Sequence, residues 1–301
     1  MGYNANMNGS VEYVAESSYA TIPTDPTMEW IGAVNKFSPK DKTKTASEKY
    51  LKDKEATNRA EAYIHAKTGE ELGFDLTYYP QASKFIGLME YATGSATGLV
   101  DNVNSFSVGL ILNETVSKYS TYEGCVIDSF TLNIPDDGYV SCDVSCTAAD
   151  KSDWDTTSYI GTGTHASDPN ETPLTSEDIT SIQIDYGAGF VDVNDAVNAI
   201  TLKIENKIGY ARDLASSNTG RIKGMALTGR DITVELDMDY DSFSMMTHIR
   251  SLTELKVKFV LGTKTFTVTG VKFPEMPYEF SSEDLIGDKL SSLQCTGLSI
   301  S

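Results

Sequence analysis

The chain has 301 residues, of which 40% are hydrophobic and 22% are charged, and these proportions are typical of a folded globular protein. Its formal net charge of −19 argues against a protein that wraps nucleic acid, because phosphate contacts require clustered Lys and Arg side chains. Residues 1–10 lack the basic start and apolar core of a signal peptide, and no stretch approaches the ~20 apolar residues of a membrane-spanning helix. The sequence therefore predicts a soluble protein that folds in the cytoplasm, without a membrane partner.

The N-terminal region predicts short β-strands followed by an unusual basic segment. Weak alternation at residues 11–19 is followed by an apolar run at 30–34. Residues 36–67 then hold nine of the chain's 24 Lys and Arg residues and lack a clean apolar period over 38–54. Such a segment predicts a long exposed loop or arm, partly helical near residues 46–62.

The hydrophobic period changes from two to 3.6 within residues 71–94. The first part alternates apolar and polar residues, which predicts a half-buried strand that ends at Pro80, since proline has no N–H for a sheet. The apolar residues that follow are spaced as on one helical face, and Gly94 stands where a helix C-cap belongs. The apolar strand residues are Leu72, Phe74, Leu76 and Tyr78, and those of the helix are Phe85, Ile86, Leu88, Met89 and Ala92.

Further strands follow in order along the chain. Residues 105–113 are rich in β-forming side chains, and 125–134 with 139–146 predict a hairpin around the turn Pro135-Asp136-Asp137-Gly138. Residues 147–181 are dominated by Ser, Thr, Asp, Gly and Pro, which predicts a linker or surface loop. The remaining predicted strands lie at 182–186, 191–193, 200–204, 255–261 and 265–273, with a last one in 289–301.

A second strand–helix unit occurs at residues 231–252. Gly229 precedes it by two residues, as Gly69 precedes the first, and a polar loop comes before each glycine. The repeated order also matches residues 35–37 with 206–208, 107–112 with 256–261, Gly124 with Gly270, and Cys146 with Cys295. The sequence thus predicts a mainly β chain duplicated in tandem, with a first half at 1–148, a linker or surface loop at 149–181 and a second half at 182–301.

The sequence offers no recognisable catalytic or cofactor chemistry. Its three histidines are isolated, and no Walker, GxSxG or dinucleotide-binding motif occurs. The acidic residues near Asp150 do not fit a calcium loop, which requires glycine at its sixth position and glutamate at its twelfth. The four cysteines form no CxxC pair and are predicted to be buried free thiols. We therefore predict no catalytic residue, no metal site and no cofactor, and a structural or binding protein rather than an enzyme.

Several short segments together resemble the tail tube proteins, or major tail proteins, of tailed bacteriophages and archaeal viruses. These segments are ESSYATIP at 16–23, GAVNKFSP at 32–39, LGFDLTYYPQ at 72–81 and YEGCVI at 122–127, with a long charged loop after the second and a helix ending near Gly94. The resemblance implies a β-sandwich or barrel-like tail-tube fold with short flanking helices. It also implies a virion protein whose copies close into rings, and rings that stack into a tube for viral DNA.

The partners implied by this resemblance are further copies of the chain, other tail proteins, and viral DNA that passes without specific binding. Two related halves per chain could place six units in a ring of only three chains, a trimer with pseudo-sixfold symmetry, and a hexamer is the alternative. An acidic lumen wall would repel phosphate and keep the DNA from adhering. The basic segment is then predicted to contact the next ring through Lys40, Lys42, Lys44, Lys49, Lys52, Lys54 and Arg59.

Two alternatives fit the same sequence. A tail terminator or distal tail protein has a similar build but forms a single ring. A carbohydrate- or cell-surface-binding β-sandwich would use exposed aromatic residues, and the chain has 16 tyrosines. Most of those tyrosines lie in strand patterns, where packing is the commoner reason for an aromatic side chain.

Overall fold

The computed structural model describes residues 8–51, 61–113, 116–212, 222–238, 251–274, 278–280, 285–287 and 289–301, and it is mainly β. The strands of the N-terminal part are β1 (Asn8–Ala15), β2 (Glu29–Trp30), β3 (Ala33–Pro39), β4 (Lys42–Leu51), β5 (Glu61–Tyr79), β6 (Phe106–Asn113), β7 (Lys118–Ile134), β8 (Ser141–Ala148) and β9 (Asp150–Lys151). Those that follow are β10 (Ile179–Asp185), β11 (Phe190–Asp192), β12 (Val197–Arg212), β13 (Ile222–Met238), β14 (Leu255–Leu261), β15 (Lys264–Val271), β16 (Tyr278–Phe280), β17 (Leu285–Gly287), β18 (Lys289–Ser291) and β19 (Gly297–Ile300). The α-helix α1 spans Met89–Thr93, and short 3₁₀ turns lie at Ala82–Lys84, Ser176–Asp178 and Asn194–Ala196.

The strands form two main sheets that do not close into a barrel. The larger sheet follows the order β18-β13-β12-β7-β6-β1-β2, with β8, β5, β3, β4 and β9 attached beside that path. The smaller sheet follows the order β11-β10-β14-β15-β19, and β16 pairs with β17. One continuous hydrophobic cluster joins both sheets, so the predicted β-sandwich-like fold with few helices is confirmed. No helix in the described parts of the chain has the length and apolar character needed to span a membrane.

The change of period at residues 71–94 is confirmed as a strand followed by a short helix. Phe74, Leu76 and Tyr78 are buried on one face of β5, whereas Asp75 on the other face is exposed. Gly94 caps α1 with φ of +85°, a left-handed conformation that glycine adopts without steric cost. The helix packs on β7 and β12, which belong to the two predicted halves of the chain.

The hairpin and the cysteines also agree with the sequence predictions. β7 and β8 pair around the predicted turn, in which Gly138 has φ of +112°. All four cysteines are free and buried. Burial raises the pKa of the Cys142 thiol to about 12, so it stays protonated and unreactive at neutral pH.

The basic segment differs from its prediction. It is a β-hairpin in which Lys42 pairs with Glu71 and Leu51 pairs with Glu61. The partial helix expected near residues 46–62 is therefore wrong for 46–51 and 61–62, and 52–60 lie outside the described residues. The sequence did not reveal the strands because residues 38–54 show no clean apolar alternation, which is the pattern that predicts a strand.

The strands of the two halves pair in the same order. In the N-terminal part, β2 pairs with β1, β1 with β6, and β6 with β7. In the C-terminal part, β11 pairs with β10, β10 with β14, and β14 with β15. Gly124 and Gly270 have φ of +62° and +68°, and each lies at a register shift of its strand pair. Each glycine thus supplies the left-handed residue of a β-bulge.

The registers of the longer hairpins also correspond. Lys44 faces Gly69 and Lys207 faces Gly229, and a shift of one residue follows directly in both pairs. A second shift skips Asn35 in β3 and Asn198 in β12, each preceded by Ala-Val. This register equates residues 35–37 with 198–200, whereas the sequence comparison had matched them with 206–208.

The end of each half corresponds in the same way. Ala148 pairs with Leu72, and Cys295 donates its backbone N–H to Ile232, which occupies the position of Leu72 relative to the preceding glycine. Ala148, rather than Cys146, is therefore the residue at the position of Cys295. The strands β9 and β19 follow at matching places along β7 and β15. The range 149–181 accordingly contains β9, the 3₁₀ turn at Ser176–Asp178 and the first residues of β10, with irregular chain between β9 and the turn.

Candidate assembly surfaces

The basic arm, which we define as the β4–β5 hairpin over residues 42–71, projects from the larger sheet. β4 pairs only with β5 among the described residues, and its ten residues span about 30 Å at ~3.3 Å per residue. Lys42, Lys44 and Lys49 lie on β4, and Lys42 is exposed. Lys52, Lys54 and Arg59 lie outside the described residues. The structure therefore brings three of the predicted contact residues onto one projecting ribbon.

Lys40 stands apart from the other predicted contact residues because it belongs to the base of the arm. Its ammonium forms an ion pair with Asp75 and donates a hydrogen bond of 2.7 Å to Ser145 Oγ on β8. Asp41 beside it accepts a hydrogen bond of 3.0 Å from Tyr122 Oη and pairs with Lys151. Lys40 thus holds the arm on the sheet.

The internal joint, which we define as the pairing of β12 with β7, connects the two halves. Six consecutive pairs run from Ile200 opposite Ile134 to Glu205 opposite Ser129. Asn206 is buried and donates hydrogen bonds of 3.1 and 2.9 Å to the carbonyl oxygens of Ala92 and Ile127. The joint is consequently a continuous hydrogen-bonded sheet with a satisfied buried amide at its end.

Arg230 extends the internal joint to the loop that follows α1. Its guanidinium donates a hydrogen bond of 2.6 Å to Asn206 Oδ1 and hydrogen bonds of 3.0 Å to the carbonyl oxygens of Thr93 and Val100. A half-buried guanidinium with several aligned acceptors is among the stronger polar contacts in proteins. Sequence reasoning missed Asn206 and Arg230 because the carbonyl oxygens of Ala92 and Thr93 that they bind lie 114 and 137 residues away.

A buried carboxylate fastens the irregular segment after β9 to β1. Glu12 is 2% exposed and accepts hydrogen bonds of 2.6 Å from Tyr159 Oη and 2.7 Å from the backbone N–H of Ala166. His165 Nδ1 lies 2.7 Å from the same carboxylate, and the His165 ring stacks on Tyr119 at 5.7 Å. Burial raises the pKa of Tyr159, which keeps its hydroxyl a donor. The expected surface loop is thus packed on the fold in this stretch.

The strand edges of the two halves differ in how they are covered. In the described part of the chain, β12 has strands on both sides, whereas β3 pairs with β5 alone. The edge of β19 is covered by the first half, since Leu99 donates to Leu298 O and Ile300 donates to Thr97 O. The open edge of β3 is therefore a candidate contact surface.

Long sheets, an open strand edge and a projecting hairpin define a β-rich protein built for assembly. No group of three or more metal-binding side chains occurs among the residues that the structure describes. A family model described as phage tail tube protein matches residues 8–297, so the chain belongs to the phage tail tube protein family. No curated protein matches the chain.

Membership in this family makes the chain a structural component of the virion tail and not an enzyme. A tail tube protein assembles with copies of itself and associates with other tail proteins. The family resemblance identified from the short segments is confirmed. The contacts described above are consequently candidates for assembly surfaces rather than for a catalytic site.

Proposed function

We propose that copies of this chain close into rings, and that the rings stack into a tube through which viral DNA passes during ejection. The projecting basic arm is the observation that supports the stacking of rings. A two-stranded ribbon is at best marginally stable in water, and β4 pairs with no described strand except β5. An arm of about 30 Å that gains its stability by docking on the next ring would link successive rings.

The arm is proposed to dock by charge. The arm holds seven basic and six acidic residues. Six of the basic ones, Lys42, Lys44, Lys49, Lys52, Lys54 and Arg59, are proposed to meet the acidic surface of a second copy, whose net charge is −19. Lys40 is left out of this contact because Asp75 and Ser145 already engage it. Each exposed ion pair contributes only ~0–1 kcal/mol, so stacking through several of them should weaken with salt.

Each chain is proposed to supply two equivalent units to the ring. Three chains then form a trimer with pseudo-sixfold symmetry, and a hexamer is the alternative. The matching strand order and the bulges at Gly124 and Gly270 support this proposal. The excess of acid is proposed to face the lumen in part, where it would repel the DNA phosphates. DNA would then pass without specific binding.

Electron microscopy of the purified, concentrated protein tests the proposal. We expect tubes of stacked rings that shorten as the salt concentration rises. Isolated rings at every concentration would instead favour a tail terminator or distal tail protein. A protein that stays monomeric in all conditions would contradict the proposed function.

A further inference from the structure

The internal joint shows how one unit of this fold holds the next. Ile200, Leu202 and Ile204 point into the core at exposures of 1% or less while their strand pairs with β7. The strand is therefore covered by hydrogen bonds along its edge and by packing on its apolar face. Two strands that correspond to β12 and β7 but are not yet paired could therefore join through the same edge hydrogen bonds and apolar packing.

β3 is the counterpart of β12 in the first half. The shared register shifts place Phe37 at the position of Ile200, Ser38 at that of Thr201, and Pro39 at that of Leu202. Phe37 is half-buried and Pro39 is exposed, although their counterparts are fully buried. The apolar residues at the open edge of β3 are thus less covered than those of β12.

In the second half, β16 is the counterpart of the C-terminal end of β7. Cys125 and Val271 are equivalent residues, because each directly follows a bulge glycine. Leu132 of β7 lies seven residues after Cys125, and β16 begins seven residues after Val271. β16 pairs with β17 as the end of β7 pairs with β8. Among the described residues β16 has no second neighbour, whereas β7 has β12.

The geometry points to a joint between copies in which β3 of one chain pairs antiparallel with β16 of the next. Phe37 would lie opposite Phe280, Ser38 opposite Glu279, and Pro39 opposite Tyr278. Aromatic residues flank a polar one in β16, as Ile134 and Leu132 flank Asn133 in β7. This joint rests on the proposed function, since it supplies the contact that closes the ring.

The joint joins two different surfaces, and this determines what it can build. A contact between unlike surfaces leaves one half of the joint open at each end of a dimer, so further copies add until the ring closes. In the internal joint each unit is joined head to tail in the same way. Internal joints and joints between copies would therefore alternate around the ring, and both would be built from similar strand pairs.

Pro39 makes the joint between copies differ from the internal one. Lys40 donates its N–H to Gly73 O, so alternate N–H groups of β3, at residues 37 and 39, face the open edge. Proline has no N–H, and the joint between copies therefore has one donor fewer than the internal joint. Proline at an exposed edge also discourages unwanted strand pairing before assembly.

Paired cysteines at Ser38 and Glu279 test the joint. These residues would be opposite each other in a non-hydrogen-bonded pair, where the Cα atoms lie about 4.5 Å apart and a disulfide fits. The variant S38C/E279C is assembled, oxidised and separated on a denaturing gel without reductant. The matched control S38C/D137C places the second cysteine on the exposed hairpin turn, and native thiols are buried in both.

We expect S38C/E279C to lose its monomer band in favour of a ladder of multimers, and the control to remain monomeric. A mixture of the two single variants should give dimers alone, because each chain then has one reactive side. Rings or tubes that form without this cross-link would overturn the joint and leave the proposed function standing. The absence of any assembly would overturn both, and a cross-link in rings that never stack would support the joint against the tube.

Discussion

The two halves of the chain share their strand order but differ at their edges. β12 is enclosed between β13 and β7, whereas the equivalent β3 is open on one side in the described part of the structure. The basic arm has a counterpart in the ends of β12 and β13, which pair as far as Arg212 opposite Ile222, but Arg230 of the second half is replaced at the corresponding position by Glu70. The shared positions show what the fold requires, and the positions that differ show where contacts are made inside the chain or outside it.

The largest expected effect concerns the shared core. Leu76 and Leu236 hold equivalent positions on β5 and β13, with exposures of 1% and 0%. Leu76→Ala and Leu236→Ala should each lower the free energy of unfolding by about 2–5 kcal/mol, because each leaves a cavity in a packed core. Urea unfolding of the unassembled protein measures both, and a loss confined to one variant would break the equivalence.

The bulge glycines sharpen the comparison. A Cβ at Gly124 would lie 2.7 Å from the Cβ of Ala149, and one at Gly270 would clash with Thr296, the residue at the place of Ala149. Gly124→Ala and Gly270→Ala should each destabilise by about 2–4 kcal/mol, from left-handed backbone strain together with overpacking. Gly224→Ala is the control, since no atom lies within 4 Å of the added Cβ, and thermal unfolding should barely change.

The internal joint depends on Arg230, which has no arginine counterpart in the first half. Arg230→Met removes the donor to the carbonyl oxygens of Thr93 and Val100 and should cost about 2–3 kcal/mol. Lys223→Met at an exposed position of β13 is the matched control and should change stability by less than about 0.5 kcal/mol. Equal losses in the two variants would show that the joint does not depend on Arg230.

The smallest effect for each residue is expected at the basic arm. Reversal of Lys42, Lys44, Lys52 and Lys54 to Glu should leave the stability of the single chain unchanged and shorten the tubes, since each exposed pair contributes ~0–1 kcal/mol. The control reverses four lysines away from the arm, Lys118, Lys203, Lys258 and Lys264, and changes the net charge equally. Tubes of normal length and salt resistance in the arm variant would contradict its proposed contact.

The sequence predicted the elements whose chemistry is local. Alternation identified the buried faces of β5 and β13, and Pro135 with Gly138 identified the hairpin turn. Alternation failed on the arm because the sequence of β4 mixes lysines with small residues and shows no clean apolar period. The contacts of Glu12 with His165 and of Arg230 with Val100 join distant residues, and no periodic pattern records such pairs.

The matches between the halves show the same limit. Glycines aligned well because Gly69, Gly229, Gly124 and Gly270 each stand at a register shift, and at Gly124 and Gly270 the backbone is also left-handed. Short polar matches such as residues 35–37 with 206–208 were misplaced, since solvent-facing positions tolerate many residues. The structural register replaced that match with the Ala-Val-Asn sequences at 33–35 and 196–198.

The central claim is that each chain supplies two equivalent units to a stacked ring. End-on electron micrographs of the assembled protein count the density lobes of a ring, and native mass spectrometry of detached rings counts the chains of 32.8 kDa. We predict twice as many lobes as chains, in rings that stack into tubes. Equal numbers of lobes and chains would contradict it.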